Sequence, residues 1–138
     1  MERLDLTPFE NALNSLKEVI EVYNSDETNL ITRDSMIQRF EYTYSIALKM
    51  IKRFFSYGAF VENVDGMTFN EMVRQANKMD LLKSNLETWT LFREKRNLTS
   101  HTYDEKIAED VAKIIPLFCE EAQFLLNKLK ERLSQCSD

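Results

Sequence analysis

Glycine and proline are scarce in this chain, with two of each among 138 residues. These residues supply the special backbone angles of tight turns, so the sequence has little material for hairpins between short strands. Gly58 and Gly66 do not form a glycine-rich phosphate-binding loop. The composition therefore predicts an all-α fold made of long helices with few connections.

Sequence motifs of several enzyme classes are also absent. The chain contains no HExxH or CxxC pair, which are common patterns of zinc sites and redox sites. It has no Gly-Ser followed by paired aspartates, so we do not expect a nucleotidyltransferase. No nucleophile elbow occurs. A Ser-His-Asp triad, or a metal site built from carboxylates on separate helices, stays open from sequence alone.

The cysteines and the apolar residues indicate the cellular setting. Cys119 and Cys136 are too few for a metal cluster, and nothing near them in the sequence completes one. Residues 1–5 carry charges without a following apolar run, which predicts no signal peptide. No apolar run approaches the length of a membrane span. We therefore expect a cytoplasmic protein with reduced thiols and no membrane contact.

The net charge is −5, from 18 Lys and Arg against 23 Asp and Glu. This acidity argues against a sequence-independent nucleic-acid coat, and no DNA binding is expected. A nuclease with a small local basic cleft stays possible. Lys49, Lys52 and Arg53 lie near the end of the predicted second helix, where cations complement the helix dipole. A solvated cluster at the end of the helix is preferred to contact with an RNA backbone.

Four capping boxes, in which a hydroxyl residue precedes an acid by three positions, predict helix starts. They lie at residues 7–10, 68–71, 84–87 and 102–105. Another helix is predicted from near Thr32 to about Tyr57, with Gly58 as its stop signal. The third helix should end near Met79. Residues 1–138 are thus predicted to form a single domain, an up-and-down bundle of about five helices.

Apolar residues recur every three or four positions in the longest predicted helices, which is typical of one buried face. The second helix carries Ile37, Phe40, Tyr44, Ala47, Ile51 and Phe54. The fifth and longest carries Ile107, Val111, Ile114, Phe118, Leu125 and Leu129. Pro116 interrupts that last helix, and its ring predicts a kink.

The only histidine, His101, lies five positions after Arg96 and two before Tyr103. On a continuous helix, five residues turn by roughly 500°, so Arg96 and His101 would point in different directions. They converge only if the helix ends between them or if two chains meet. The capping box at residues 102–105 predicts that end. The fourth helix then carries Arg96 on its last turn, and His101 lies in the joint.

Histidine and arginine together suit metal-free cleavage of RNA. Histidine transfers protons near neutral pH, and arginine presents a planar cation that matches phosphate oxygens. One histidine cannot be acid and base in the same step, so a two-fold dimer is the more economical arrangement. On spacing alone, however, a structural explanation is preferred, in which His101 caps backbone groups and Arg96 complements a helix dipole.

Residues 96–103 resemble the Arg-x4-His-x-Tyr signature of HEPN domains (higher eukaryotes and prokaryotes nucleotide-binding). The similarity is greatest to a small bacterial branch described as nucleotidyltransferase substrate-binding proteins and as HEPN toxins. Residues 38–41 and 48–53 look like that family's long second helix, and Trp89 and Arg93 also fit. The resemblance spans most of the chain, from the first capping box to the final helix.

The resemblance implies a dimeric helical bundle with a metal-independent ribonuclease site at the dimer interface. Arg96 and His101 match its catalytic residues, and Asn97 matches the polar residue that follows the arginine. Tyr103 matches the tyrosine that a partner, a minimal nucleotidyltransferase antitoxin, modifies with AMP. No metal or other cofactor is implied. Glu41 either orients the arginine or makes a structural ion pair, and sequence does not separate these.

The alternative interpretation is a non-catalytic accessory subunit. Such a protein binds nucleotide or presents Tyr103 to a nucleotidyltransferase, and it does not cleave RNA. The ribonuclease interpretation, in contrast, predicts a bacterial toxin that is silenced when a phosphate group on Tyr103 adds negative charge beside the site.

Overall fold

The computed structural model describes residues 4–135, and it consists of helices joined by short connections. The helices are α1 (Thr7–Ser25), α2 (Leu30–Tyr57), α3 (Phe69–Lys78), α4 (Leu86–Asn97) and α5 (Glu105–Gln135). Two 3₁₀ turns, Val64–Gly66 and Thr99–His101, lie in the connections. No strand occurs among residues 4–135, and the predicted all-α fold of about five helices is confirmed.

Contacts between side chains establish the relative directions of the long helices. Thr43 on α2 donates to the carbonyl of Ala12 on α1, while Arg39, one turn earlier, donates to the later residue Ser15. These two helices are therefore antiparallel. Along α5, Lys17 pairs with Gln123 and Glu10 with Lys130, so α1 is also antiparallel to α5.

An aromatic cluster around Phe118 of α5 joins three helices. Its ring centroid lies 5.1 Å from Phe40 and 6.1 Å from Tyr44 on α2. It also lies 5.3 Å from Phe92 and 6.2 Å from Trp89 on α4. Most of these pairs meet edge to face, the arrangement that aromatic quadrupoles favour. The cluster fixes α4 against α2 and α5, which places the end of α4.

Of the four predicted capping boxes, only the one at α3 forms. The Thr68 hydroxyl accepts the backbone N–H of Glu71, and the Glu71 carboxylate accepts the backbone N–H of Thr68, both at 3.1 Å. This reciprocal pair satisfies two donors at the helix start. The third helix ends before Met79, as predicted.

The other three capping boxes were wrong; at α1 and α5 a carboxylate accepts the first backbone N–H groups, and at α4 no side chain caps the helix. At α1 the Asp5 carboxylate accepts the Thr7 N–H at 3.0 Å, and Leu6 is the N-cap. At α4 the N-cap is Asn85, and the Ser84 N–H donates to Glu121 of α5 at 3.0 Å. A carboxylate in reach accepts these donors as well as a hydroxyl does.

At α5, Asp104 takes the role predicted for Thr102. Its carboxylate accepts the backbone N–H groups of Lys106 and Ile107 at 3.0 and 3.3 Å. The Thr102 hydroxyl instead donates backwards to the carbonyl of Thr99 at 3.3 Å. The start of α5 therefore lies three residues beyond Thr102.

The second helix starts slightly earlier than predicted. Asn29 is its N-cap, with a side chain that accepts the Thr32 N–H at 3.1 Å, so the helix begins at Leu30 rather than near Thr32. Its end at Tyr57, followed by Gly58, is as predicted. The apolar residues predicted for its buried face are all buried.

The fifth helix is the longest of those described, with 31 residues, and it continues through Pro116. The kink at Pro116 stays a prediction. Ile115 is buried on this helix, whereas the predicted Ile107 and Ile114 are only partly buried. The free thiol of Cys119 is buried, which raises its pKa.

Cys136 and residues 1–3 of the charged N-terminal stretch lie outside the described residues, so the predictions about them are not tested. Within residues 4–135, each helix is too short or too polar to cross a membrane.

Candidate active site

The connection between α4 and α5 carries the lone histidine. The fourth helix ends at Asn97, and the 3₁₀ turn Thr99–His101 follows at once. The His101 N–H donates to the Leu98 carbonyl at 2.9 Å, and the Asp104 N–H donates to the His101 carbonyl at 3.1 Å. The predicted helix end between Arg96 and His101 is therefore confirmed, although a 3₁₀ turn and Asp104 produce it.

Hydrogen bonds of the buried Thr99 stabilise this connection. It is buried, and its hydroxyl donates to the Arg96 carbonyl at 2.8 Å, which closes the last turn of α4. Its own carbonyl accepts the Thr102 hydroxyl. These two side-chain hydrogen bonds hold the polar backbone of the turn while His101 stays exposed.

His101 and Tyr103 lie side by side on the surface. Their ring centroids are 6.2 Å apart, and the rings meet edge to face. Tyr103 is 87% exposed, the highest value among the exposed large apolar residues of the described chain. The Tyr103 side chain is therefore open to solvent.

Arg96 occupies the last turn of α4, as predicted, and faces α2. Its guanidinium lies 3.7 Å from the Glu41 carboxylate, and both side chains are partly exposed. An ion pair of this kind contributes little to stability, typically less than about 1 kcal/mol. The contact is compatible with both interpretations of Glu41. Asn97 follows on the exposed surface.

Arg96 and Asn97 line an open cleft of about 1210 Å³ formed mainly by α2, α3 and α4. His101 is not among its lining residues. We call this space the α2–α4 cleft. Its cationic lining residues are Lys49, Lys52, Arg53, Arg93 and Arg96. Two acids, Asp5 and Asp65, also line it, which leaves an excess of three positive charges in a chain of net charge −5.

The three cations of α2 are not in its last turn. The helix-dipole interpretation of Lys49, Lys52 and Arg53 therefore loses its basis, since that effect is confined to the terminal turn. The sequence does not show that they line the same cleft as Arg96, because 43 to 47 positions separate them from it. Only the packing of α4 on α2 brings the two groups together.

Arg93 and Tyr44 complete the cleft next to Arg96. The Arg93 guanidinium lies 4.8 Å from the centre of the Phe69 ring, a cation–π contact. Burial raises the pKa of Tyr44 to about 12, although Arg93 and Arg96 act in the opposite direction. The Tyr44 hydroxyl therefore keeps its proton at neutral pH and cannot serve as a base. The spacing of Arg93 and Arg96, three residues apart on one helix, was the available sequence signal.

An ion pair with a buried arginine ties the start of α5 to the start of α2. Arg33, 4% exposed, donates two hydrogen bonds to the Glu105 carboxylate at 2.5 and 3.1 Å. The hydrogen bond raises the pKa of Arg33 and lowers that of Glu105. Glu105 directly follows the Asp104 cap, so the pair also anchors the turn that carries His101. No local sequence signal links residues this far apart.

Among residues 4–135, no group of three or more histidine, cysteine, aspartate or glutamate side chains is arranged to hold a metal ion.

Comparison with known proteins identifies the family of this chain. Residues 4–131 match the family model described as nucleotidyltransferase substrate binding protein like. A curated relative from Haemophilus influenzae, named "Probable ribonuclease HepT", is 31% identical over 140 residues, covering 95% of each chain.

Two solved structures have the same fold. One, from Haemophilus influenzae, is described as a substrate binding domain of a nucleotidyltransferase; it has a TM-score of 0.84 and 29% identity, and the match covers 91% of this chain and 99% of that one. The other, from Thermus thermophilus, has a TM-score of 0.73 and 28% identity over 88% and 98% of the two chains. Because the family model matches residues 4–131, nearly the whole chain, this protein belongs to the nucleotidyltransferase substrate binding protein-like family.

Proposed function

We propose that this protein is a metal-independent ribonuclease, the toxin of a bacterial toxin–antitoxin pair, with Arg96 and His101 as its catalytic residues. The observation that carries the proposal is the break between α4 and α5. It leaves His101 exposed in the turn that follows α4, and Arg96, on the last turn of α4, lines a cationic cleft. The name of the 31% identical relative supports the same activity.

In the proposed reaction, an imidazole takes the proton of an RNA 2′-hydroxyl, and the 2′-oxygen bonds to the adjacent phosphorus. The bond from phosphorus to the 5′-oxygen breaks, and that oxygen receives a proton from a second imidazole. Arg96 stabilises the negative charge that builds up on the phosphoryl oxygens. Asn97, adjacent and exposed, supports the phosphate as a hydrogen-bond donor.

The reaction requires two imidazoles, and each chain has one. A two-fold dimer brings the same patch of both chains together and so supplies the pair. We therefore propose a homodimer with one composite site that contains His101 and Arg96 of both chains. The exposure of His101 and Tyr103 is what such an interface requires.

Tyr103 is the proposed off-switch. A minimal nucleotidyltransferase, the antitoxin, transfers AMP to its hydroxyl; the phenolic oxygen attacks the α-phosphorus of ATP, and pyrophosphate leaves. The bound AMP then adds a negative phosphodiester beside His101, where it repels RNA and competes for Arg96. The partner is supported by the family description, and the access it needs by the exposure of Tyr103.

A second function is favoured by the description of the Haemophilus structure as a substrate binding domain. In that case the protein presents Tyr103 or a nucleotide to the transferase and does not cleave RNA. Both functions predict a complex with a nucleotidyltransferase, and only cleavage separates them.

The deciding experiment is RNA cleavage by the purified protein, without its partner, in the presence of EDTA. We expect the wild type to cleave, and His101→Ala, purified identically, to be inactive. Equal survival of RNA with both proteins, at concentrations where the wild type is folded and dimeric, would contradict ribonuclease activity and favour the accessory role.

A further inference from the structure

We propose that the α2–α4 cleft binds the phosphate backbone of one RNA strand and leads that strand to Arg96. Lys49, Lys52, Arg53 and Arg93 are its backbone-binding residues. The inference rests on the proposed function for the identity of the strand. It adds a path and a set of residues that lie outside the Arg96–Tyr103 segment.

The cations of α2 form a row along the helix. Positions 45, 49, 52, 53 and 56 all line the cleft, and their spacing of three or four residues places them on one helix face. Glu41, which contacts Arg96, lies on the same face at the other end. With a rise of about 1.5 Å per residue, Glu41 and Arg53 are separated by about 18 Å along the helix. The cations thus lead away from Arg96 and do not cluster around it.

The opposite wall belongs to α4 and α3. Arg93 precedes Arg96 by three residues and faces the same cleft. Its guanidinium is held over the Phe69 ring of α3, which limits its freedom before any ligand binds. A cation already held in position loses less conformational entropy when it pairs with a phosphate.

The charge of the cleft selects a polyanion. It carries three excess positive charges on a protein of net charge −5. The surrounding acidity disfavours nonspecific adhesion of nucleic acid elsewhere, while the local potential concentrates phosphates in the cleft. Cations in a row favour a chain of phosphates over a single phosphate group.

The size of the cleft also favours a strand over a free nucleotide. Its volume of about 1210 Å³ exceeds the range of about 300–1,000 Å³ for small-molecule sites. A mononucleotide would contact only part of the row. Tyr57 lines the cleft and is only partly buried, so it offers a ring on which a base can stack without strong sequence preference.

The test compares two triple variants, both in the full chain and both carrying His101→Ala to prevent cleavage. The cleft variant is Lys49→Gln/Lys52→Gln/Arg53→Gln. The control is Arg74→Gln/Lys83→Gln/Lys113→Gln, which removes the same charges from exposed positions outside the cleft. Binding of a short fluorescein-labelled oligouridylate is followed by fluorescence anisotropy over a salt series, and helix content by circular dichroism.

We expect the cleft variant to raise the Kd by about tenfold or more, with helix content equal to that of the control. The slope of log K against log salt should decrease by about 2, because each single-strand phosphate contact contributes about 0.7. The control should bind like its parent. Equal weakening in both triple variants, or an unchanged salt slope in the cleft variant, would overturn the inference.

Cleavage by the chain with His101 intact is measured in parallel, so the two proposals fail separately. If RNA binds in the cleft but is never cleaved, the ribonuclease proposal is wrong and the cleft assignment stands. If RNA is cleaved but the cleft variant binds like the control, only the cleft assignment is wrong.

Discussion

The aromatic cluster around Phe118 and the connection between α4 and α5 differ in burial and in the contacts that stabilise them. The cluster is buried and held by ring contacts between helices distant in sequence. The connection is held by short-range hydrogen bonds through Thr99 and Asp104, and its His101 and Tyr103 side chains are exposed. The cluster fixes where α4 ends, and the connection leaves its reactive groups accessible. Stability and the proposed chemistry therefore depend on different residues and can be tested separately.

The largest effect is expected for a substitution of Arg96, at the proposed catalytic site. Arg96→Ala should lower the rate of RNA cleavage by about 10²–10³-fold, because a donor aimed at the developing charge is lost. The free energy of unfolding should change by less than about 1 kcal/mol, since the Glu41 pair is partly exposed. Single-turnover cleavage and denaturant unfolding measure the two quantities. A large loss of unfolding free energy would contradict the claim that stability and the proposed chemistry depend on different residues.

Phe118→Ala, in the aromatic cluster, should lower the stability of the fold. Removing a buried ring that contacts four aromatic neighbours leaves a cavity and should cost about 3–5 kcal/mol of unfolding free energy. The matched control is Phe124→Ala on the same helix, where the side chain is only partly buried. Urea denaturation measures both. Equal destabilisation by the two variants would show that the cluster is not the main support of the bundle.

Glu105→Gln should reveal a pH-dependent link between the regions. The hydrogen bond from Arg33 lowers the pKa of Glu105 in the folded protein, so the charged form is favoured by folding. Its contribution is fully present above the ordinary glutamate value of about 4.3 and disappears as pH falls through the lowered folded pKa. The thermal midpoints of wild type and variant should differ at neutral pH and converge in acid. A difference that is independent of pH would contradict the role of this charge.

Tyr103→Phe should have the smallest effect on the isolated protein. Because the side chain is 87% exposed, unfolding free energy should stay within about 0.5 kcal/mol of the wild type. RNA cleavage should continue, while AMP transfer by a nucleotidyltransferase partner should be lost, as mass spectrometry would detect. Modification of the variant at another residue would remove Tyr103 from the proposed switch.

The sequence predicted more about the helices than about their caps. The apolar spacing in α2 correctly identified its buried face, and Gly58 its end. The capping boxes succeeded at Thr68 and failed at three other helices. Asp5 and Asp104 accept the first backbone N–H groups of α1 and α5, and the N-cap of α4, Asn85, makes no side-chain hydrogen bond there. A cap is a choice between acceptors within a residue or two, and composition alone does not decide it.

The candidate site was predicted in part. Arg96 on the last turn of α4 and His101 in the joint follow from local signals, and the structure has both. Their catalytic roles, and those of Asn97 and Tyr103, stay predictions. The cationic cleft was not predicted, because Lys49 and Arg93 are distant in sequence and meet only through helix packing. The Arg33–Glu105 pair, 72 residues apart, was missed for the same reason.

The sequence by itself determined that the chain is helical and that a helix ends between Arg96 and His101. Helix hydrogen bonds join residues four positions apart, so the formation and end of a helix depend on residues close together in the sequence. Only the tertiary structure decided that Glu41 contacts Arg96, that the cation row of α2 lines the same cleft as Arg96, and that Arg33 holds the start of α5. Those neighbours depend on the angle and depth at which helices pack, which is set by the buried aromatic residues of distant segments.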